Sequence, residues 1–250
     1  MTAQHWAVAG VAALACHAVP ALTSIGPLRT RLHPALAGVG DPGHAALTFD
    51  DGPHPASTPR FLAELDRLGV TATFFLTGRW VARVPGLAAE IAAAGHEIAS
   101  HGYDHRCLLV RGPRATYDDL ARARDVTGHA TGTRPRWYRP PYGVLTGPAV
   151  LATRRLRLTP VLWTAWGRDW AAGATADSVH DTVLAGLTGG GTVLTGGGTV
   201  LLHDSDVTSA PGSWRATLGA LPRIVDTLRE RGLRVGPLGE HGMPAPGTRT

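Results

Sequence analysis

Residues 45–76 read AALTFDDGPHPASTPRFLAELDRLGVTATFFL. Ala45 to Phe49 is an apolar run of strand length, closed by two carboxylates and the turn pair Gly52-Pro53. Ser57 can cap a helix with Pro59 in its first turn. That helix repeats apolar side chains at Phe61, Leu62, Leu65 and Leu68 and stops at Gly69. Residues 72–76 make a second strand. Two strands joined by one helix predict a parallel βαβ unit, with chemistry gathered where strands end and loops begin.

Outward from this unit the alternation continues to Val235. Helical patterns cover residues 81–94, 117–126, 146–155, 179–187 and 214–231, and extended stretches cover 97–100, 136–138, 159–163, 198–202 and 233–235. Seven or eight repeats of this kind predict an α/β fold closed into a barrel rather than an open sheet. A single domain is expected over residues 41–240, with an apolar segment at 1–40 and a tail at 241–250.

The first forty residues differ in character. Trp6 to Cys16 is apolar, followed by His17, Pro20, Arg29 and Arg31. Eleven apolar residues are too few to span a bilayer, and no basic residue precedes them as in a secretory signal. The segment reads as a degenerate signal or anchor, or as a loosely docked helix. Any membrane association would run through this segment alone, and localisation stays open.

Composition narrows the function classes. Hydrophobic residues are 44% and charged residues 17% of 250, which is material for a core and not for disorder. The two cysteines exclude a disulfide scaffold. All 24 basic residues are arginine, so Schiff-base chemistry and a P-loop lysine are absent. The net charge of +5 permits an anionic partner, but aromatics are only 6% and no nucleic-acid platform is expected. Residues 188–194 repeat letter for letter as 195–201. So short a repeat is not a solenoid. It reads as a duplicated strand entry whose first copy becomes a folded Gly-rich loop at about 188–195.

Polar clusters follow the expected strands in order. Asp50 and Asp51 would point to opposite sides of an extended chain and so could take different jobs, although a plain acidic turn has the same look. His101 and His105, four apart, would share one side of a helical turn and suit a metal; an unliganded surface turn is the alternative. With Asp51 they make a three-ligand set that leaves a position open to water, as catalytic metal sites do. Arg139, before two prolines, could orient a carboxylate or simply stiffen a loop. Trp166, Asp169 and Trp170, then Leu201, His203 and Asp204, complete the series; each has a bland reading in core packing. Five clusters at five strand ends are hard to dismiss together.

Residues 48–53, His101-x-x-x-His105, Arg139-x-Pro141-Tyr142, Asp169-Trp170 and Leu201-x-His203 resemble the five ordered motifs of the polysaccharide deacetylase (NodB-homology) family, carbohydrate esterase family 4. The resemblance covers residue 45 to about residue 235. It implies a distorted (β/α) barrel and removal of N- or O-acetyl groups from chitin-like, peptidoglycan or xylan substrates with a divalent metal, commonly zinc, with cobalt or nickel as alternatives. By the same resemblance Asp51, His101 and His105 would hold the metal, and Asp50 would be the base. Arg139 would position Asp50, and the Tyr142 backbone N–H would help bind the oxyanion. His203 would be the acid, tuned by Asp169, while Trp170 and Leu201 would line the acetyl pocket. The implied protein is a monomer acting on acetylated carbohydrate at the cell envelope or outside the cell.

Two departures carry expectations. Gly102 stands where the family has Ser or Thr, which should loosen its loop. The heptapeptide repeat directly precedes Leu202-His203, and only its second copy keeps the acid in place, because a seven-residue slip would also reverse every side chain's face. Two other readings are a catalytically silent carbohydrate-binding protein on the same fold and a metal-independent amidase of the wider superfamily. No Gly-x-Gly-x-x-Gly follows a strand, which argues against an oxidoreductase.

Overall fold

Strand β1 (His44–Asp50) is buried along its whole length because both its faces are covered. Ala45, Leu47 and Phe49 pack outward into the main core, while Ala46 belongs to an inner cluster with Phe75, Ala99, Trp137, Val161 and Leu238. By the period of two, Thr48 and Asp50 share the inner face with Ala46. The computed structural model describes residues 3–188 and 197–243.

Around β1 the remaining strands are β2 (Thr73–Leu76), β3 (Glu97–Ser100), β4 (Trp137–Tyr138), β5 (Thr159–Pro160), β6 (Ala165–Trp166), β7 (Thr199–His203) and β8 (Arg234–Gly236). All pairings are parallel, in the order β5-β4-β3-β2-β1-β7-β6, with β8 added to the start of β1. This is the curled α/β barrel expected, in one domain. No pairing joins β5 to β6 among the described residues, so the sheet is open there.

The sheet is wrapped by helices. The first helix after β1 is the expected one, running Thr58–Leu68 and ending at Gly69. Ser57 precedes it without a side-chain capping bond. The expected helix over 81–94 is instead two, Gly78–Arg83 and Pro85–Ala93, because Pro85 can only begin a helix and not continue one. Helix Pro113–Thr131 is longer than its apolar pattern, and β6 was not anticipated. Ala176–Thr188 and Trp214–Glu230 pack together against the outer face of the sheet.

The N-terminal segment has more structure than its sequence suggested. It forms α1 (Ala3–Ala18), a 3-10 turn (Val19–Ser24) and α2 (Gly26–Leu32), followed by the short helix Pro34–Ala37. Pro20 begins the 3-10 turn instead of ending the helical path, so the apolar stretch is Gln4–Ser24. Those 21 residues are long and apolar enough to cross a membrane by length and composition. Further along, the segment joins the barrel. Leu162 N donates to Leu36 O at 2.7 Å, and Thr199 Oγ1 donates to Gly38 O at 2.7 Å. At the other end His241 is fully buried.

Candidate active site and metal centre

The reacting groups converge at the C-terminal ends of β1, β3, β4 and β7. Asp50 ends β1 on its inner face, and His203 sits opposite it in register at the end of β7. Asp51 does not project to the other side of the sheet as an extended chain would require. Its φ is +80°, so the chain turns and both carboxylates face one cavity. Asp50 Oδ2 lies 3.7 Å and Asp51 Oδ1 3.5 Å from His101 Nε2.

The two histidines also meet differently from the helical turn their spacing suggested. Residues 101–107 form a loop with left-handed Gly102 (φ +78°) and His105 (φ +52°). The loop returns His105 Nε2 to 3.2 Å from Asp51 Oδ1. His101 Nδ1 donates to Arg139 O at 2.8 Å, which leaves its Nε2 as the lone-pair nitrogen facing the cavity. A side chain at residue 102 would be strained and would press on Asp119 Oδ2. The expected loosening of the loop has a counterweight, because Asp119 accepts the Tyr103 N–H at 3.0 Å and the Asp104 N–H at 3.2 Å.

Asp51, His101 and His105 place one donor atom each within 4.8 Å of one another. Asp51 Oδ1 is buried and has no hydrogen-bond partner, as a lone pair reserved for a ligand would be. Its Oδ2 accepts a short hydrogen bond from Thr208 Oγ1. Burial favours the neutral acid at Asp51, but His203, His105 and His101 around it prevail and hold it below the usual carboxylate range. Two imidazole nitrogens and one carboxylate oxygen suit a divalent metal with an open position.

Arg139 is fully buried and donates to Asp50 Oδ1 at 2.6 Å and to Thr48 Oγ1 at 2.9 Å. Its other nitrogen donates to Leu162 O at 3.0 Å, so the guanidinium is held from both ends. Asp50 thereby keeps Oδ2 on the cavity side. His203 Nδ1 donates to Asp169 Oδ1 at 2.9 Å, and Asp169 Oδ2 accepts the His203 backbone N–H at 2.7 Å and Thr217 Oγ1 at 2.7 Å. Burial works against charge on His203, yet Asp169 and Asp51 outweigh it and raise the imidazole to about 10.

The cavity between these groups has a volume of about 320 Å³. Leu201, Trp170, Trp166, Trp163 and Tyr142 line it. The indoles run in sequence, Trp163 to Trp166 at 5.8 Å and Trp166 to Trp170 at 4.8 Å between ring centroids, ending on His203 at 5.8 Å. Tyr142 is left-handed (φ +60°) and sets its ring edge-on to His105 at 4.8 Å. Arg29 of α2 stands behind this wall. It is 2% exposed, donates to Trp163 O at 2.6 Å, and places its guanidinium 5.3 Å from the Trp163 ring.

Every site residue expected from the sequence therefore lines this cavity or contacts one that does. Three supports were not foreseen. Thr208 and Arg29 lie in stretches without a strand-end signal. Asp204 was visible beside His203 but had no task until the fold brought it to Gly52 N (3.1 Å) and the Thr58 hydroxyl. A Cβ at Gly52 would collide with the Asp204 carboxylate, so only glycine allows this closure. Burial raises Asp204 to about 7.

Residues 37–161 match the polysaccharide deacetylase family model. A chitooligosaccharide deacetylase from Bradyrhizobium sp. (strain ANU 289) is 35% identical over 77% of this chain and 87% of its own. The chain belongs to the polysaccharide deacetylase family. Solved structures agree on the fold. A peptidoglycan N-acetylglucosamine deacetylase bound to a hydroxybenzamide matches with a TM-score of 0.72 at 29% identity, covering 83% of this chain and 92% of that one. A carbohydrate esterase family 4 pseudoenzyme from Bacillus anthracis matches with a TM-score of 0.70 at 27% identity, covering 81% and 67%. The family thus includes both active and silent members, and which kind this chain is rests on its own residues.

Proposed function

We propose that this family member is a metal-dependent deacetylase of N-acetylated oligo- or polysaccharides, chitin-like or peptidoglycan, with zinc as the metal. The supporting observation is the complete reacting set around one cavity, with Asp50 held by Arg139 and His203 held by Asp169. A silent binding protein would need none of this. A divalent ion held by Asp51, His101 and His105 supplies Lewis acidity to the acetyl carbonyl and to the attacking water.

The chain's own residues do the rest. Asp50 Oδ2 takes the proton from the attacking water, while Arg139 on Oδ1 fixes the carboxylate's orientation. Leu201 and the indole of Trp170 hold the acetyl methyl and exclude bulk water. The Tyr142 backbone N–H donates to the developing oxyanion. His203, held protonated by Asp169 and Asp51, delivers a proton from Nε2 to the departing amine.

Acetate release from acetylated chitooligosaccharides, peptidoglycan fragments and acetylxylan tests this reading. We expect release from at least one of the first two, abolished by a chelator and restored by zinc. Release that persists in chelator would favour the amidase reading, and no release from any substrate the silent one.

A further inference from the structure

The exposed apolar side chains are not scattered. Among the described residues, every exposed large apolar side chain except Tyr117 belongs to the N-terminal segment or to Leu109, Val110, Tyr142 and Leu151. Those four lie where the segment meets the barrel. His17 Nε2 bonds to Leu109 O at 3.0 Å, and α1 packs on helix Gly147–Leu156, which carries Leu151. The 3-10 turn Val19–Ser24 packs on Pro141–Gly143, the turn bearing Tyr142 at the mouth of the active site. Exposed apolar side chains of the segment and of the barrel therefore lie on both sides of that junction, beside the mouth. On α1 they include Trp6 (65% exposed) and Val11 (69%), and on the barrel Val110 (84%).

Charge gives this surface a sign. Residues 1–40 and 126–168 contain no Asp or Glu, and these two stretches supply almost all of it. Arg31, Arg154, Arg155 and Arg157 are exposed, and among the described residues no ion pair involves any of them. Arg154 and Arg157 stand on the wall of a second cavity, of about 1090 Å³, between the segment and the barrel. Leu22, Leu28, Leu32, Leu145 and Leu158 line its interior. Apolar space rimmed by unpaired arginines has the chemistry of a phospholipid, with acyl chains inside and phosphate at the rim. A two-fold contact of this face with a second copy would set two surfaces built almost wholly from acid-free stretches against each other.

We propose that this face docks on an anionic phospholipid bilayer, so that the active-site mouth opens beside the lipid surface. The substrate it favours is acetylated saccharide presented at that surface. Only this last clause rests on the deacetylase reading; docking itself does not.

The test is co-sedimentation of the full chain with vesicles of phosphatidylcholine alone or with phosphatidylglycerol added. We expect binding several-fold stronger with phosphatidylglycerol, weakened by salt, and quenching of Trp6 by brominated acyl chains that is lost in Trp6→Phe. The double variant Arg154→Gln/Arg157→Gln, checked for folding by circular dichroism, should lose most of the phosphatidylglycerol preference. An Asp51→Asn variant should bind vesicles as the parent does, which separates docking from catalysis. Absence of binding, binding indifferent to lipid charge and to the arginine variant, or a stable oligomer that excludes vesicles would each overturn the proposal.

Discussion

At the residue scale the site is built from pairs in which one member works and the other aims it. Asp169 holds His203 by both its side chain and its backbone, so the imidazole can turn neither away from the cavity nor into the wrong tautomer. Neither member of that pair belongs to the Asp51, His101 and His105 cluster that would hold the metal. His203→Ala should therefore lose most turnover, of the order of 100-fold or more, while zinc affinity measured calorimetrically stays near the parent's. Unchanged turnover would remove His203 from the acid's role. Asp204 is different in kind: it touches no substrate and keeps the Asp51 turn closed through Gly52.

At the scale of elements, the heptapeptide repeat shows how register protects chemistry. Strand β7 begins at Thr199, inside the second copy, and aligns Leu201 with Thr48 and His203 with Asp50. The first copy, and with it the Gly-rich loop expected at about 188–195, lies outside the described residues apart from Thr188, which ends its helix. Deleting residues 188–194 should leave a Thr at the helix end and β7 in place, so acetate release should be retained or raised. Abolished activity in a folded deletion variant would show that the extra residues contribute to the site.

The same elements show what the sequence made legible. Strands β1, β3 and β7 announced themselves because each ends in chemically distinctive residues, and β2 through its apolar run after the helix stop at Gly69. Two-residue strands such as β6 carry too little pattern to register, and Pro85 splits a helix whose apolar period runs straight through it. The expected site residues do share one cavity or its immediate support, but their local geometry differs from the one their spacing suggested. Left-handed backbone at Asp51 and His105, residue types for which it is uncommon, leaves no mark in the hydrophobic pattern. Arg29 escaped notice because its role depends on a tertiary contact with Trp163 across 134 positions.

At the scale of the whole molecule, buried histidines tie stability to pH. Burial holds His44 and His96 to about 4, and His96 Nδ1 accepts the Ala72 N–H at 3.2 Å, which a proton would abolish. His44 and His241 face each other through Nδ1 at 2.9 Å, so the pair cannot carry two protons there. Folded-state values below the ordinary 6.5 mean that the unfolded chain binds these protons first. Stability is then present above pH 6.5 and drains away as pH falls towards 4. Asp204, raised to about 7, works oppositely in this window. His203 has no effect here, since it is protonated in both states below 6.5 and its contribution is lost only as pH rises towards 10. We expect the metal-free protein to lose a few kcal/mol between pH 6.5 and 5 in urea unfolding. His96→Gln should flatten the slope by roughly one proton. A slope unchanged in that variant would mean that His96 does not titrate with folding.

The open edge between β5 and β6 divides labour within the barrel. The residues proposed as base, acid and metal holders hang from β1, β3 and β7, where continuous strand pairing locks them together. The Trp163–Trp166 wall lies at the β5–β6 edge, where no pairing closes the sheet among the described residues, braced from outside by Arg29. Substitution of these indoles changes the wall of the cavity while the strands that carry the proposed base, acid and metal holders stay paired. In such a molecule selectivity can drift, by selection or by design, while the chemistry stays inherited.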